Sequence, residues 1–298
     1  MFTRHAIFAL VVPLVVTHAY AQTADEKKAT IVYLQSLQTP DGGFLAAAPD
    51  PKSNRVNKAS LRATSSAIRA LKYFGSAPGD KDAAAKFVAS CFDKDSGGFT
   101  DMVGGKPDVT TTAISLMAVV ELKMPTDPYV EPAVKYLAAN VKNFDDIRIA
   151  VAGLEAVNKR PKEADTWRDQ VAKMANADGT FGKGDGKTRE TGGAAVALLR
   201  LGDKLENKAE IVKTLKAGQR TDGAFGKDGT DTSDLESSYR IMRAFHMLKE
   251  KPSDVAALTG FIAKCRNKDG GYGVAPGQPS TASGTYFASI ILHWLEEK

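Results

Sequence analysis

The 298-residue chain predicts an all-α fold, an α/α toroid of six helical hairpins, and three observations carry that prediction. A glycine turn followed by an aromatic residue recurs along the chain. The segment after each turn has a helical apolar period and a face of small residues. No stretch shows the strict alternation of a half-buried strand.

Residues 1–21 read as a secretory signal peptide. Arg4 and His5 open it, Ala6 to Val16 form an apolar core, and Ala19, Tyr20, Ala21 make an A-x-A site. The chain is therefore expected to be cleaved after Ala21 and to reach the periplasm or the medium. Its apolar core is about half the ~20 residues that a bilayer requires, and no later segment is apolar enough to span. Residues 22–298 are then one domain of a size that closes around a single core.

The first hairpin pairs YLQSLQTPDGGF with LRATSSAIRALKYFG, and the second pairs FVASCFDKDSGGF with PDVTTTAISLMAVVEL. In that second helix Val109, Ala113, Leu116, Met117 and Val120 fall at i, i+4, i+7, i+8 and i+11, one helical face. The third hairpin, YLAANVKNF with DDIRIAVAGLEAV, is worn and lacks the glycines. The fourth is MANADGTFG with TRETGGAAVALLRLG. The fifth is LKAGQRTDGAFG with DTSDLESSYRIMRAF, and the sixth FIAKCRNKDGGYG with STASGTYFASIILHWL. Phe44, Phe99, Phe144, Phe181, Phe225 and Tyr272 mark the turns at intervals of 37 to 55 residues, room for two helices and two loops.

The turn has a physical cause. Aspartate can bond its own backbone, and the glycines after it take positive φ without steric cost, so the first helix ends and the chain reverses. A lone hairpin cannot bury both faces, so neighbours stack, and six can close into an inner ring within an outer one. The second helix of each copy, rich in Ala, Gly, Thr and Ser, is assigned to the inner ring.

The formal charge of +5 is mild, and no basic run is long enough to track a phosphate backbone, which excludes a nucleic-acid partner. Cys91 and Cys265 stand at equivalent places in two repeats, FVASC and FIAKC, so they are expected to be buried, unpaired thiols. GKGDGKT, Gly182 to Thr188, fails as a phosphate loop because Phe181 stands where its first glycine belongs. His246 and His293 lie in apolar helices and read as packed residues.

The Q-x-x-D-G-G-F turn of Gln38, Asp41, Gly42, Gly43 and Phe44 resembles the repeat of the prenyltransferase and squalene cyclase family. The likeness covers residues 25–296 and is nearest to the β-subunit of Rab geranylgeranyl transferase, type II. It implies a toroid with a ligand cavity on its axis. An active transferase of that family implies zinc, held by an Asp-x-Cys pair and a later histidine that together keep an acceptor thiol as thiolate. The matching positions here are Asp234 and Glu236, with Ser283 or Gly284 in place of the histidine, so the Cys and His ligands are missing and no cofactor is expected. Asp228 and Asp231 stand where the family has basic groups for a diphosphate.

The cyclases instead imply a D-x-D-D motif whose protonated acid attacks an alkene. Asp108, Val109, Thr110, Thr111 resembles it with both central acids replaced. Asp108 reads as the N-cap of its helix, and Ser233 with Glu236 as a capping box. Asp145 and Asp146 are the sole adjacent acid pair at the start of an inner helix, where the helix dipole also favours them.

The expectation is thus an exported, prenyltransferase-like toroid that binds an apolar, isoprenoid-like ligand, with Asp108, Thr111, Arg189, Asp234, Glu236, Tyr239 and Tyr286 at the mouth of its cavity. An active transferase or lyase with a divergent site, and a non-catalytic scaffold for proteins or glycans using the Leu45–Ala59 loop, are the alternatives. The sequence assigns no protein partner.

Overall fold

Helices alternate between two concentric rings in the computed structural model, which describes residues 22–50, 52 and 57–297. The predicted signal peptide and part of the Leu45–Ala59 loop lie outside the described residues. The odd-numbered helices are α1 (Ala24–Ser36), α3 (Lys81–Ser90), α5 (Val130–Asn140), α7 (Ala164–Ala172), α9 (Lys208–Ala217) and α11 (Val255–Cys265). The even-numbered ones are α2 (Leu61–Tyr73), α4 (Val109–Glu121), α6 (Phe144–Ala156), α8 (Lys187–Arg200), α10 (Leu235–Leu248) and α12 (Ala282–Glu296). Each even helix packs between two other even helices, and α12 returns to α2, so the inner ring closes; the odd helices flank it. Among the described residues only isolated β-bridges accompany the helices.

Small residues allow the inner helices to crowd. A Cβ on Gly153 of α6 would lie 2.6 Å from the Ala113 carbonyl oxygen of α4, so that pair of helices touches backbone to backbone. The buried hydroxyls of the ring have a second task. The amides of Phe44, Phe99, Phe181, Phe225 and Tyr272 donate to Thr64, Thr112, Thr191, Ser238 and Thr285 on the following inner helix, at 2.9 to 3.1 Å. A buried amide without a partner is costly, so the repeated Thr or Ser anchors each turn while its aromatic ring enters the core.

The turns also join one repeat to the next. Gly42 has φ +91°, and a Cβ there would lie 2.0 Å from the Ala83 carbonyl oxygen at the start of α3. Gly97 meets Pro132 of α5, Gly179 meets Asn207 before α9, and Gly223 meets Ala257 of α11. Gly270 completes the circle by seating on Ala29 of α1, where Thr30 Oγ1 donates to the Gly270 carbonyl at 2.8 Å. Glutamine strengthens two of these joints. Gln38 holds both the amide and the carbonyl of Asp80, the N-cap of α3, and Gln219 holds those of Asp254, the N-cap of α11, all at 2.7 to 2.9 Å.

The third repeat departs from the predicted pattern. Phe144 is the first residue of α6 rather than a turn aromatic; without glycines, Val141 stays extended and Asn143 caps α6 at once. The predicted capping box is also displaced by one residue. Asp234 caps α10, accepting from the Ser237 amide at 2.7 Å, while the Ser233 hydroxyl donates to the turn carboxylate of Asp222. Cys91 and Cys265 are buried and unpaired as expected, and Asp108 caps α4. Gly184–Gly186 form a single 3-10 turn before α8. No described helix is long and apolar enough to cross a membrane.

Candidate functional site

All six inner helices start at the same end of the ring. One residue from the first turn of each, Arg62, Thr110, Asp145, Arg189, Glu236 and Ser283, borders an upper chamber of about 560 Å³. A lower chamber of about 230 Å³ lies toward the helix C-termini, with Arg69, Met117, Arg200 and Arg243 in its wall. Arg148, Ile149 and Tyr239 belong to both chambers and form the waist between them.

The helix dipoles explain the distribution of charge. Positive N-termini at the upper mouth favour Asp145, Asp146 and Glu236, and the negative C-terminus of α8 below favours Arg200. Ion pairs tie most of these groups: Arg148 to Asp145 at 3.6 Å, Arg189 to Glu236 at 3.9 Å, Arg200 to Glu155 at 2.8 Å, and Arg240 to Glu236. Apolar wall remains between them, since Ile114, Ile149 and Phe287 border the upper chamber and are only partly buried.

The waist is an arginine and aromatic cluster. Arg243 donates to the Tyr239 hydroxyl at 3.0 Å, and its guanidinium lies 4.5 Å from the centre of the Trp294 ring. Arg69 lies 4.4 Å over the Tyr286 ring, and Tyr239 stacks with Phe287 at 5.1 Å. Burial opposes ionisation of the Tyr239 phenol, but Arg243, Arg69, the hydrogen bond from Tyr286 and Arg200 together outweigh it and hold the phenol well below its ordinary range. Tyr286 moves the other way, its phenol raised by burial.

Of the residues expected at the mouth, Arg189, Glu236 and Tyr239 border the upper chamber. Tyr286 is almost fully buried behind them and donates to Tyr239 at 3.2 Å. Thr111 is fully buried and donates to Asp108, whose carboxylate also accepts from Arg62. Asp234 is occupied in capping. The structure therefore brings four of the seven together and holds the other three at helix starts. Arg69, Arg148, Arg200 and Arg243 were not singled out by the sequence. Their signal was spacing: Arg62 and Arg69, and Glu236, Tyr239 and Arg243, share helical faces.

The zinc positions implied by the resemblance do not form a donor set. Asp234 accepts from the Ser237 amide and hydroxyl, Glu236 is turned to Arg189 and Arg240, and Ser283 borders the chamber instead of a histidine. Among the described residues no three His, Cys, Asp or Glu side chains converge as a metal site. His246 and His293 are not packed in the core. They lie 3.2 and 3.0 Å from Glu297 at the lower rim, His246 stacked on Trp294 and His293 tilted against Tyr73.

The closed double ring of glycine-linked hairpins agrees with a match of the whole described chain to a family: the model of the prenyltransferase alpha-alpha toroid domain matches residues 3–147 and 147–298. The chain belongs to the prenyltransferase alpha-alpha toroid family. It is 30% identical over 96 residues to the geranylgeranyl transferase type-2 subunit beta of Saccharomyces cerevisiae, a match that spans 30% of this chain and 30% of the length of the yeast protein. Among solved structures it is similar to a protein geranylgeranyltransferase-I of Candida albicans complexed with GGPP, with TM-score 0.65, 13% identity and coverage of 78% and 83%. A type II terpene cyclase from Scytonema, in complex with geranylgeranyl dihydroxybenzoate, gives TM-score 0.62 and 12% identity, with coverage of 91% and 95%. At these identities the solved structures establish the shared fold.

Proposed function

We propose that this toroid works outside the cytoplasm and binds an isoprenoid-like, apolar chain in the upper chamber of its lumen, without the zinc or carboxylic-acid chemistry of its relatives. The observation that carries this reading is the chamber itself. At about 560 Å³ it lies in the range of small-molecule sites, and Ile114, Ile149 and Phe287 offer apolar wall between its charged groups. The Candida transferase and the Scytonema cyclase, which hold geranylgeranyl compounds, support the same kind of ligand.

Two features favour binding over the family's reactions. Thr110 and Thr111 stand where a cyclase needs carboxylic acids, and a threonine hydroxyl is far too weak an acid to protonate an alkene. Asp234 and Glu236 are engaged by a helix start and by arginines. Export is supported by the pattern of residues 1–21, with cleavage after Ala21.

Calorimetric titration of residues 22–298 with farnesol, geranylgeraniol and their diphosphates tests the reading. Binding should be saturable and should weaken about tenfold or more in Ile149→Asp, which places a charge against the chain. Absence of heat for every isoprenoid would overturn it. N-terminal sequencing of exported protein should begin at Gln22.

A further inference from the structure

The lower chamber poses a separate problem of charge. Its acids are already engaged, Glu121 by Lys72 at 2.7 Å and Glu155 by Arg200 at 2.8 Å. Arg148, Arg189, Arg200 and Arg240 each have a carboxylate within 4.0 Å, but among the described residues Arg69 and Arg243 have none. Both are half-buried against the lumen, and the Arg243 Nε is buried without a hydrogen-bond partner. Two like charges in a confined space repel, and enclosing them without a counter-ion is costly.

The helix C-termini soften that cost but act only over the last turn. What stands between the two guanidinium groups is phenol: Tyr239 accepts from Arg243, and Tyr286, under Arg69, donates to Tyr239. We propose that the lower chamber is a site for a small anionic group, a carboxylate or a phosphate, held by Arg69 and Arg243, and that this group takes the place of the Tyr239 oxygen as their counter-ion. The inference rests on the lumen being a ligand site but not on the ligand's chain being isoprenoid. The chamber, about 230 Å³, is below the size of a site for a whole drug-sized ligand and suits a head group.

Replacement couples binding to a proton. An empty site favours Tyr239 as phenolate; a bound anion supplies the negative charge, so the phenolate takes up one proton from solvent and becomes neutral. The groups facing Tyr239 are fixed by the ring. They are Arg69 of α2, Glu121 of α4, Arg148 and Glu155 of α6, Arg189 and Arg200 of α8, Tyr286 of α12, and Glu236, Arg240 and Arg243 on its own helix, with Tyr73, His246 and His293 one layer further out. The two histidines sit at the rim beside Glu297 and do not give the absorbance change of a tyrosinate, so that signal separates Tyr239 from them.

The test is a pH titration of the wild-type protein followed by tyrosinate absorbance, with no added anion, with inorganic phosphate, with acetate, and with sodium chloride at matched ionic strength. One tyrosine should ionise well below the ordinary phenol range. Phosphate or acetate should move that midpoint up, by about one pH unit at ten times its Kd, and chloride should not. A response to phosphate alone identifies a phosphate ligand, and a response to acetate alone a carboxylate. Tyr239→Phe should lack the transition and bind the active anion about tenfold or more tightly at pH 8, and Arg243→Gln should bind it about tenfold or more weakly. No low tyrosine transition, or a midpoint that neither anion moves beyond the chloride control, overturns the proposal. The wild-type titration does so even if a variant fails to fold. A midpoint that phosphate shifts in a protein that binds no isoprenoid would keep this site and remove the isoprenoid reading.

Discussion

Tyr286 donates its hydroxyl hydrogen to Tyr239 at 3.2 Å, from α12 to α10, and each ring faces an arginine of the same cluster, Arg69 and Arg243. One phenol is thereby made a good acceptor and the other a good donor. Burial opposes ionisation of Tyr239, but the charges of Arg243 and Arg69, with the hydrogen bond from Tyr286, outweigh it and lower the phenol, while burial raises that of Tyr286.

Stability should carry that asymmetry. A phenol with a folded pKa below its unfolded value binds fewer protons in the folded state throughout the interval, so folding stability rises with pH there and falls as pH drops through the folded pKa. The difference in unfolding free energy between wild type and Tyr239→Phe is therefore expected to grow in favour of wild type between pH 6 and pH 9, in denaturant titrations. A pH-independent difference would contradict it.

Gly42→Ala and Gly75→Ala separate contact from conformation. Both glycines have positive φ, but a Cβ on Gly42 collides with the Ala83 carbonyl whereas one on Gly75 meets open space. The first change should cost more than about 3 kcal/mol and the second about 1 kcal/mol, read as shifts in denaturation midpoint.

Thr112→Val removes the hydroxyl that accepts from the Phe99 amide and leaves that amide buried without a partner. The expected loss is about 1–3 kcal/mol with the helical content of the folded state unchanged. Thr110→Val, at the chamber wall, should cost less.

Cys91 and Cys265 should be silent to a thiol reagent at pH 8 in the native state and should both react on denaturation. Burial pushes their thiols up to about 11 and about 12, so the reactive thiolate is scarce as well as enclosed. Stoichiometric labelling of folded protein within minutes would contradict the assignment.

The repeats were legible because their chemistry is local. Asp41, Gly42, Gly43 and Phe44 act within a single turn, and Thr64 lies on the next helix along the chain, so spacing alone announces the hairpin. The lumen was legible only in part. Arg69 and Tyr286 belong to the first and last hairpins, and nothing in either segment signals that closure places one over the other's ring. The exceptions follow the same logic. Asp234 displaces Ser233 as cap because Asp222, from the preceding turn, claims the serine, and Phe144 leaves its expected role because no glycine reverses the chain before it.

Closure by Gly270 on Ala29 gives the newborn chain a particular history. Synthesis delivers α1 first, yet the surface that receives Ala29 and Thr30 is made only when the last hairpin emerges. Until then Tyr33, which lies against Gly271, lacks that part of its surroundings, and the ring stays an open arc. An open stack of repeats ends in polar caps and can lose a terminal unit at modest loss. This circle has no terminal unit to lose, because removing any hairpin uncovers two faces at once, and it should melt as one body.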